Sequence, residues 1–231
     1  MTTICRRPTA VLCALLLALA ACSTSGDPER TITAAELEDV APTAADLGDG
    51  WATGDTDESD SEDDAPDFED ECPELARLAG ADDDEDQGSE FEAAFEHTDG
   101  RLIEITLDPD AREATDEEID ELVEAINACG EVTFTDDDGF ETVATLSAET
   151  TGAYGDQGVR LSLAAEVSGP GLAQPVSVNI DAHLYRRGTV GVEVRATDGV
   201  GDDLEVTPSD LDQLDSLAAR IDANLEDLFM E

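Results

Sequence analysis

Lysine is absent from this 231-residue chain: its 11 basic residues are all arginine, set against 59 acids, for a formal charge of −48. A field of that sign repels phosphate backbones and argues against nucleic-acid binding. It also excludes a bare electrostatic attraction to anionic lipid. With no lysine and no Gly-rich phosphate loop, the chain lacks the parts of a P-loop. Histidine is nearly absent, with only His97 and His183, which leaves cysteines without the partners of a zinc site. No Gly-x-Ser-x-Gly elbow occurs. Aromatic residues make up 4%, with one tryptophan, Trp51. Nowhere is there an apolar run of the ~20 residues that a helix needs to cross a bilayer. No cofactor is expected, and no motif names a reaction.

What is present begins at the amino end. Arg6 and Arg7 precede a short apolar segment from Val11 to Ala21, which closes on Leu19-Ala20-Ala21-Cys22. A basic start, an apolar middle and small residues before a cut site make a secretory signal. The four closing residues resemble the lipobox of bacterial lipoproteins, in which cleavage precedes the cysteine and its sulfur carries a diacylglycerol. Residues 1–21 are therefore expected to be removed and Cys22 to be lipidated. The other readings are a buried N-terminal helix, or an ordinary signal with a chance cysteine. A single acyl chain holds a protein only marginally, so a two-chain anchor is what makes attachment stable. Residues 22–32 read as a tether, and 33–231 as the extracytoplasmic domain.

The acidity has two readings: chelation of ions or docking of a basic partner, or a solvated surface suited to high salt. Acids are spread over nearly every polar stretch, which favours the second, a halophilic-type surface. The densest run, 55–71, cannot bury itself and reads as a low-complexity insertion, with a second acidic loop at 82–86.

Between these loops the periodicities are readable. Thr33 and Glu36 have capping-box spacing before a short helix to Val40. Phe91, Ala93 and Phe95, then Ile103, Ile105 and Leu107, alternate across a turn at Thr98-Asp99-Gly100, as in a β-hairpin. Thr115 and Glu118 open a helix whose Ile119, Leu122, Val123, Ile126 and Cys129 share one face, with Gly130 as its stop. Strands are expected near 131–135, 140–148, 158–167, 175–186 and 189–197. Val159, Leu161, Leu163 and Ala165 are read as lining one side with Val176, Val178, Ile180, Ala182, Leu184, Val190, Val192, Val194 and Ala196. Arg160, Glu166, Asn179, Asp181, His183, Glu193 and Arg195 are read as lining the opposite, wet side. A last helix is expected from about Pro208, capped by Thr207, with a stripe of Leu211, Leu214, Leu217, Ala218, Ile221, Leu225 and Leu228. The expected fold class is α+β: an antiparallel sheet with two main amphipathic helices packed on one face, in a single domain.

Of the five cysteines, Cys5 and Cys13 leave with the signal and Cys22 is taken by lipid, leaving Cys72 and Cys129. In an oxidising compartment this pair reads as a disulfide. A metal pair and a catalytic thiol are the alternatives. Asp136-Asp137-Asp138-Gly139 has the look of a calcium loop, but Phe134 stands at its first ligand position and Thr145 at its last. His183 and Tyr185, read as lying on the wet side of their strand, form with Arg186 and Arg195 the densest basic and aromatic group. They read either as a ligand-recognition face or as local charge pairs with Glu193 and Asp181.

Ala44-Ala45-Asp46-Leu47-Gly48-Asp49-Gly50-Trp51, an acidic stretch, Cys72, a Phe-rich strand pair, a helix ending at Cys129, three strands and a last helix resemble the PknH-type extracellular sensor domains. Those domains occur in actinobacterial receptor kinases and in free-standing lipoproteins. The resemblance covers about Thr33 to Leu228 and implies a twisted antiparallel sheet with flanking helices and a cleft for an envelope ligand. This chain has no kinase domain, and one cysteine pair where the kinase sensors have two. The expected function is a lipid-anchored, non-enzymatic binding or sensor-like lipoprotein. Its expected partners are the membrane, through the anchor, and a small or lipid-like envelope molecule or an envelope protein. A carboxylate-based hydrolase of envelope polymers and a structural acidic lipoprotein are the other readings.

Overall fold

A period of two governs most of the chain. The computed structural model describes residues 32–54, 72–73, 90–111, 114–135, 139–200 and 205–230. The signal segment, Cys22 with its tether as far as Thr31, both acidic loops and Asp136–Asp138 lie outside the described residues. Ile32, read as the end of the tether, is instead buried in the second core, which moves the tether's end back by one residue. Among those described, eight strands form one sheet in the order β1-β2-β3-β8-β7-β6-β5-β4. They are β1 (Trp51–Thr53), β2 (Phe91–His97), β3 (Leu102–Asp108), β4 (Glu131–Thr135), β5 (Glu141–Thr151), β6 (Gln157–Ser168), β7 (Val176–Arg187) and β8 (Val190–Thr197). Every neighbouring pair is antiparallel. A small separate ribbon joins β9 (Gly199–Val200) to β10 (Val206–Thr207). The coarse reading, an antiparallel α+β fold, holds.

The two faces of the sheet differ from the expectation, and a turn is the reason. Gly188 and Thr189 alone connect β7 to β8, and Arg187 pairs directly with Val190. Gly188 sits at φ +60°, the left-handed region a tight hairpin turn requires. A two-residue turn pairs residue i with i+3, so odd residues of β7 share a face with even residues of β8. Leu184 therefore faces away from Val190 and Val192; the apolar stripes of the two strands lie on opposite sides of the sheet. This corrects the single buried face read from the sequence. From Ile180 to Tyr185 every residue of β7 is buried, because β7 is covered on both sides.

Each side carries its own core. On the first, α3 (Asp116–Cys129) lays Ile119, Leu122 and Ile126 over Leu146, Leu161, Leu163 and Ile180. On the second, α1 (Ala34–Val40), α2 (Ala44–Leu47) and α4 (Leu211–Met230) cover the other half of the sheet. There Leu37, Leu214, Ile221 and Leu225 pack with Ile103, Ile105, Leu107, Val192 and Val194. The two main helices thus lie on opposite faces, which corrects the reading that put both on one.

The helix starts follow from side-chain caps. Thr33 with Glu36, and Thr115 with Glu118, make reciprocal capping boxes at the expected positions. Hydrogen bonds to Thr43, aided by Arg220, hold the Asp46 carboxyl at about 2. The last helix begins at Leu211 and not at Pro208: Asp210 accepts from the Gln213 amide at 3.2 Å and caps it in place of Thr207. Asn224 and Gln213 on α4 donate to the carbonyls of Val40 and Leu47 at 2.9 and 3.0 Å, which ties the second-face helices together.

Cys72 and Cys129 are bonded, with Cα atoms 5.3 Å apart and a sequence separation of 57. Cys129 closes α3 at the edge of the first core. On the loop-entropy scale a bridge of that span contributes about 4 kcal/mol.

Candidate functional site

The site is built where α4 crosses β7. Alternate residues of β7 point up at α4, and residues three and four apart on α4 point down at them. His183 Nε2 lies 2.7 Å from Asp215 Oδ1. The Tyr185 hydroxyl donates to the Ala218 carbonyl at 2.9 Å. The Arg187 guanidinium donates to both carboxylate oxygens of Asp222, at 2.8 and 2.6 Å, the bidentate geometry that suits this pair. Strand spacing of two and helix spacing of three and four meet in a row of three contacts. This row fixes how far α4 reaches across the sheet.

A bend over residues 152–156 folds up beside the helix. The Gly155 amide donates to Asp222 Oδ1 at 3.0 Å and the Asp156 amide to the Arg186 carbonyl at 2.7 Å. Gly155 has φ +62°, and a Cβ there would collide with the Arg186 carbonyl, so only glycine fits. The bend brings the Tyr154 ring edge-on to His183, with centroids 5.1 Å apart, and within 5.8 Å of Tyr185. Burial raises the Tyr154 hydroxyl's pKa and Asp215 adds to this, while Arg160 opposes it. Burial likewise raises Tyr185, with Asp222 adding.

Beyond α4, the second face of β5 and β6 has no helix over it among the described residues. It carries Arg160 and Ser162, which pair across to His183 and Asp181, and Glu149, which pairs with Arg160. Ser162 donates to Asp181 at 2.5 Å. Arg160 is half-buried and makes no ion pair with any described residue. His183 is 3% exposed, and its Nδ1 has no hydrogen-bond partner. Among the described residues the arrangement is a polar shelf: helix and Tyr154 on one side, uncovered strand on the other, and the Arg160 guanidinium between.

Of the four residues singled out from the sequence, the structure brings together only His183 and Tyr185, and buries both under α4, not on a wet face. Arg186 turns to the first face and donates to the Gly188 carbonyl. Arg195 also lies on the first face, 4% exposed, 2.7 Å from Glu104 and 3.9 Å from Glu193. Burial pushes the Glu193 carboxyl up to about 7, with Arg195 opposing and Glu104 adding. Burial also raises Glu90 and Asp108 nearby. Tyr154, Arg160 and Asp215 were missed. The only hint was the glycine pair flanking Ala153-Tyr154, which marks a bend but not its direction.

A further aromatic group closes the β1 end of the sheet. The Trp51 ring stacks at a tilt on His97, 5.1 Å between centroids, with the Arg101 guanidinium 5.7 Å above the indole. Its polar atoms satisfy one another: Asp99 takes the Arg101 Nε at 3.0 Å and lies 2.6 Å from His97 Nδ1. Among the described residues there is no group of three or more His, Cys, Asp or Glu able to hold a metal ion. Nor is any described helix long and apolar enough to cross a membrane. No family model matches the chain, and no curated protein matches it significantly.

Proposed function

We propose that this chain is a lipoprotein held through Cys22 at the outer face of the cytoplasmic membrane, and that residues 33–231 form one non-enzymatic binding or sensor-like domain of the cell envelope. The observation that carries the binding half is the shelf beside α4. It combines a half-buried guanidinium and a buried imidazole nitrogen, neither with a partner among the described residues, and an aromatic cover, in a chain otherwise saturated with acid. Buried polar atoms are nearly always satisfied, an exception calls for an explanation, and a ligand that completes the set supplies one here. The anchoring half rests on the lipobox and on a cysteine pair of the kind kept in oxidising compartments. The resemblance of the sequence to PknH-type sensor domains supports the same reading.

A carboxylate-based hydrolase draws on one observation, Glu193 held protonated towards neutrality near Glu104. Arg195 lies against both and ties Glu104 down, which suits a charge cluster better than an acid and base pair.

Expression with its own signal in a lipoprotein-processing bacterial host, with a clickable palmitate analogue, tests the anchor. The wild type is expected to be labelled and to sediment with membranes, and Cys22→Ser to be unlabelled. Unlabelled protein in the cytosol with residues 1–21 intact would refute the reading. Native mass spectrometry of membrane-extracted protein tests the binding half through a co-purified mass.

A further inference from the structure

We infer that the shelf between α4 and the bare face of β5 and β6 binds a small hydroxy acid, with Arg160 holding its carboxylate. This deepens the binding reading above and rests on it.

Five of the six described arginines are committed. Arg101 is held by Asp99, Arg187 by Asp222, Arg195 by Glu104 and Arg220 by Asp46, and Arg186 is turned to the Gly188 carbonyl. Arg160 makes no such contact with any described residue, although Glu149 stands directly across from it in the strand register. In a chain of −48, a half-buried guanidinium that leaves a neighbouring carboxylate unpaired is available to an incoming anion. Arginine's planar fork matches a carboxylate with two parallel bonds. The same negative field favours a monoanion over a phosphate dianion, since repulsion grows with the ligand's charge.

The second group defines the rest of the ligand. Asp215, a carboxylate, accepts from His183 Nε2, so in the neutral ring the proton is on Nε2 and Nδ1 is an acceptor. That acceptor is buried without a donor. His183 is the direct cross-strand neighbour of Arg160, and such neighbours have Cβ atoms roughly 5 Å apart. A ligand with a hydroxyl beside its carboxylate offers a donor and an anion to two such neighbouring side chains. Tyr154 lies edge-on against His183 from a bend, not a strand, and its ring would have to shift for the hydroxyl to reach Nδ1.

Titration of the full chain, purified in detergent, with sodium lactate at fixed ionic strength tests the inference, read by the 15N resonance of the Arg160 Nε–H. Acetate, which lacks the hydroxyl, and inorganic phosphate serve as comparisons. The expected result is a saturable shift with lactate, with acetate weaker by about tenfold for the lost hydrogen bond. Arg160→Gln is expected to abolish binding. Glu149→Gln is expected to tighten it, because a competing anion is gone. An Arg160 resonance that moves no more than the rest of the surface overturns the inference, as does phosphate binding as tightly as lactate or undiminished binding in Arg160→Gln. Should Arg160→Gln fail to fold, the wild-type and Glu149→Gln titrations decide alone. A co-purified ligand held equally well by Arg160→Gln would sink this inference and leave the binding domain standing. A failed palmitate label would remove the anchor and leave the Arg160 titration untouched.

Discussion

Replacing Glu193 by Gln is expected to make the protein more stable above neutral pH and to change little at pH 4. Glu193 sits on the first face of β8, its side chain 17% exposed, and burial raises its carboxyl from 4.5 to about 7. The folded state therefore holds this proton more tightly than the unfolded chain does. That preference contributes stability below pH 4.5, and the contribution is lost as the pH rises through 7. A rise from 4.5 to about 7, at 1.36 kcal/mol for each tenfold change in proton affinity, amounts to about 3 kcal/mol. Glutamine keeps the shape and carries no charge to desolvate. Arg195 loses little, since its close partner is Glu104 at 2.7 Å while Glu193 stands at 3.9 Å. Urea unfolding of both proteins at pH 4, 5.5, 7 and 8.5, in constant high salt, reads the difference. Other titrating acids, including Asp46 at about 2, are common to both proteins and cancel. The variant's advantage should be near zero at pH 4 and grow through the window from 4.5 to 7. A difference that does not vary with pH would refute the burial argument.

Ile221→Ala, at a fully buried site on α4, is expected to lower unfolding free energy by about 2–5 kcal/mol, whereas Leu211→Ala, 39% exposed, should stay within about 0.5 kcal/mol. Urea midpoints at unchanged slope measure both, and equal effects would contradict the packing of α4 on the second face. With 59 acids and no lysine, the melting temperature is expected to rise markedly from low salt to 1 M, where the screening length falls to about 3 Å. A melting temperature indifferent to salt would refute the solvated-surface reading.

Local signals carried much of the architecture. Threonine and glutamate three apart located the starts of α1 and α3, and glycine placed the end of α3, because capping is settled within one turn of chain. The five strands from 131 to 197 were recoverable to within a few residues from alternation alone. The split into two faces was also available: Leu184 and Val190 are both even-numbered, and any two-residue turn between them sets even against odd. The start of α4 was misread because Thr207-Pro208 has the look of a cap. Asp198, which accepts the Ser209 amide at 2.7 Å, holds that stretch out of the helix from a distance.

By itself, then, the order of residues determined where elements begin, which residues alternate, how acidic the surface is and what the first 22 residues resemble. Those properties depend on neighbours one to four positions away. Tertiary structure decided which side each helix covers and what lies under α4. His183 and Tyr185 read as wet because the strand alternates, and are buried because a helix some thirty residues later lies over them. Arg195 read as a ligand group, and is held by Glu104, ninety-one positions earlier in the chain. Arg160 gained interest only when its cross-strand neighbours were known. Burial and pairing across such separations are set by packing free energy over the whole sheet, which no local pattern encodes.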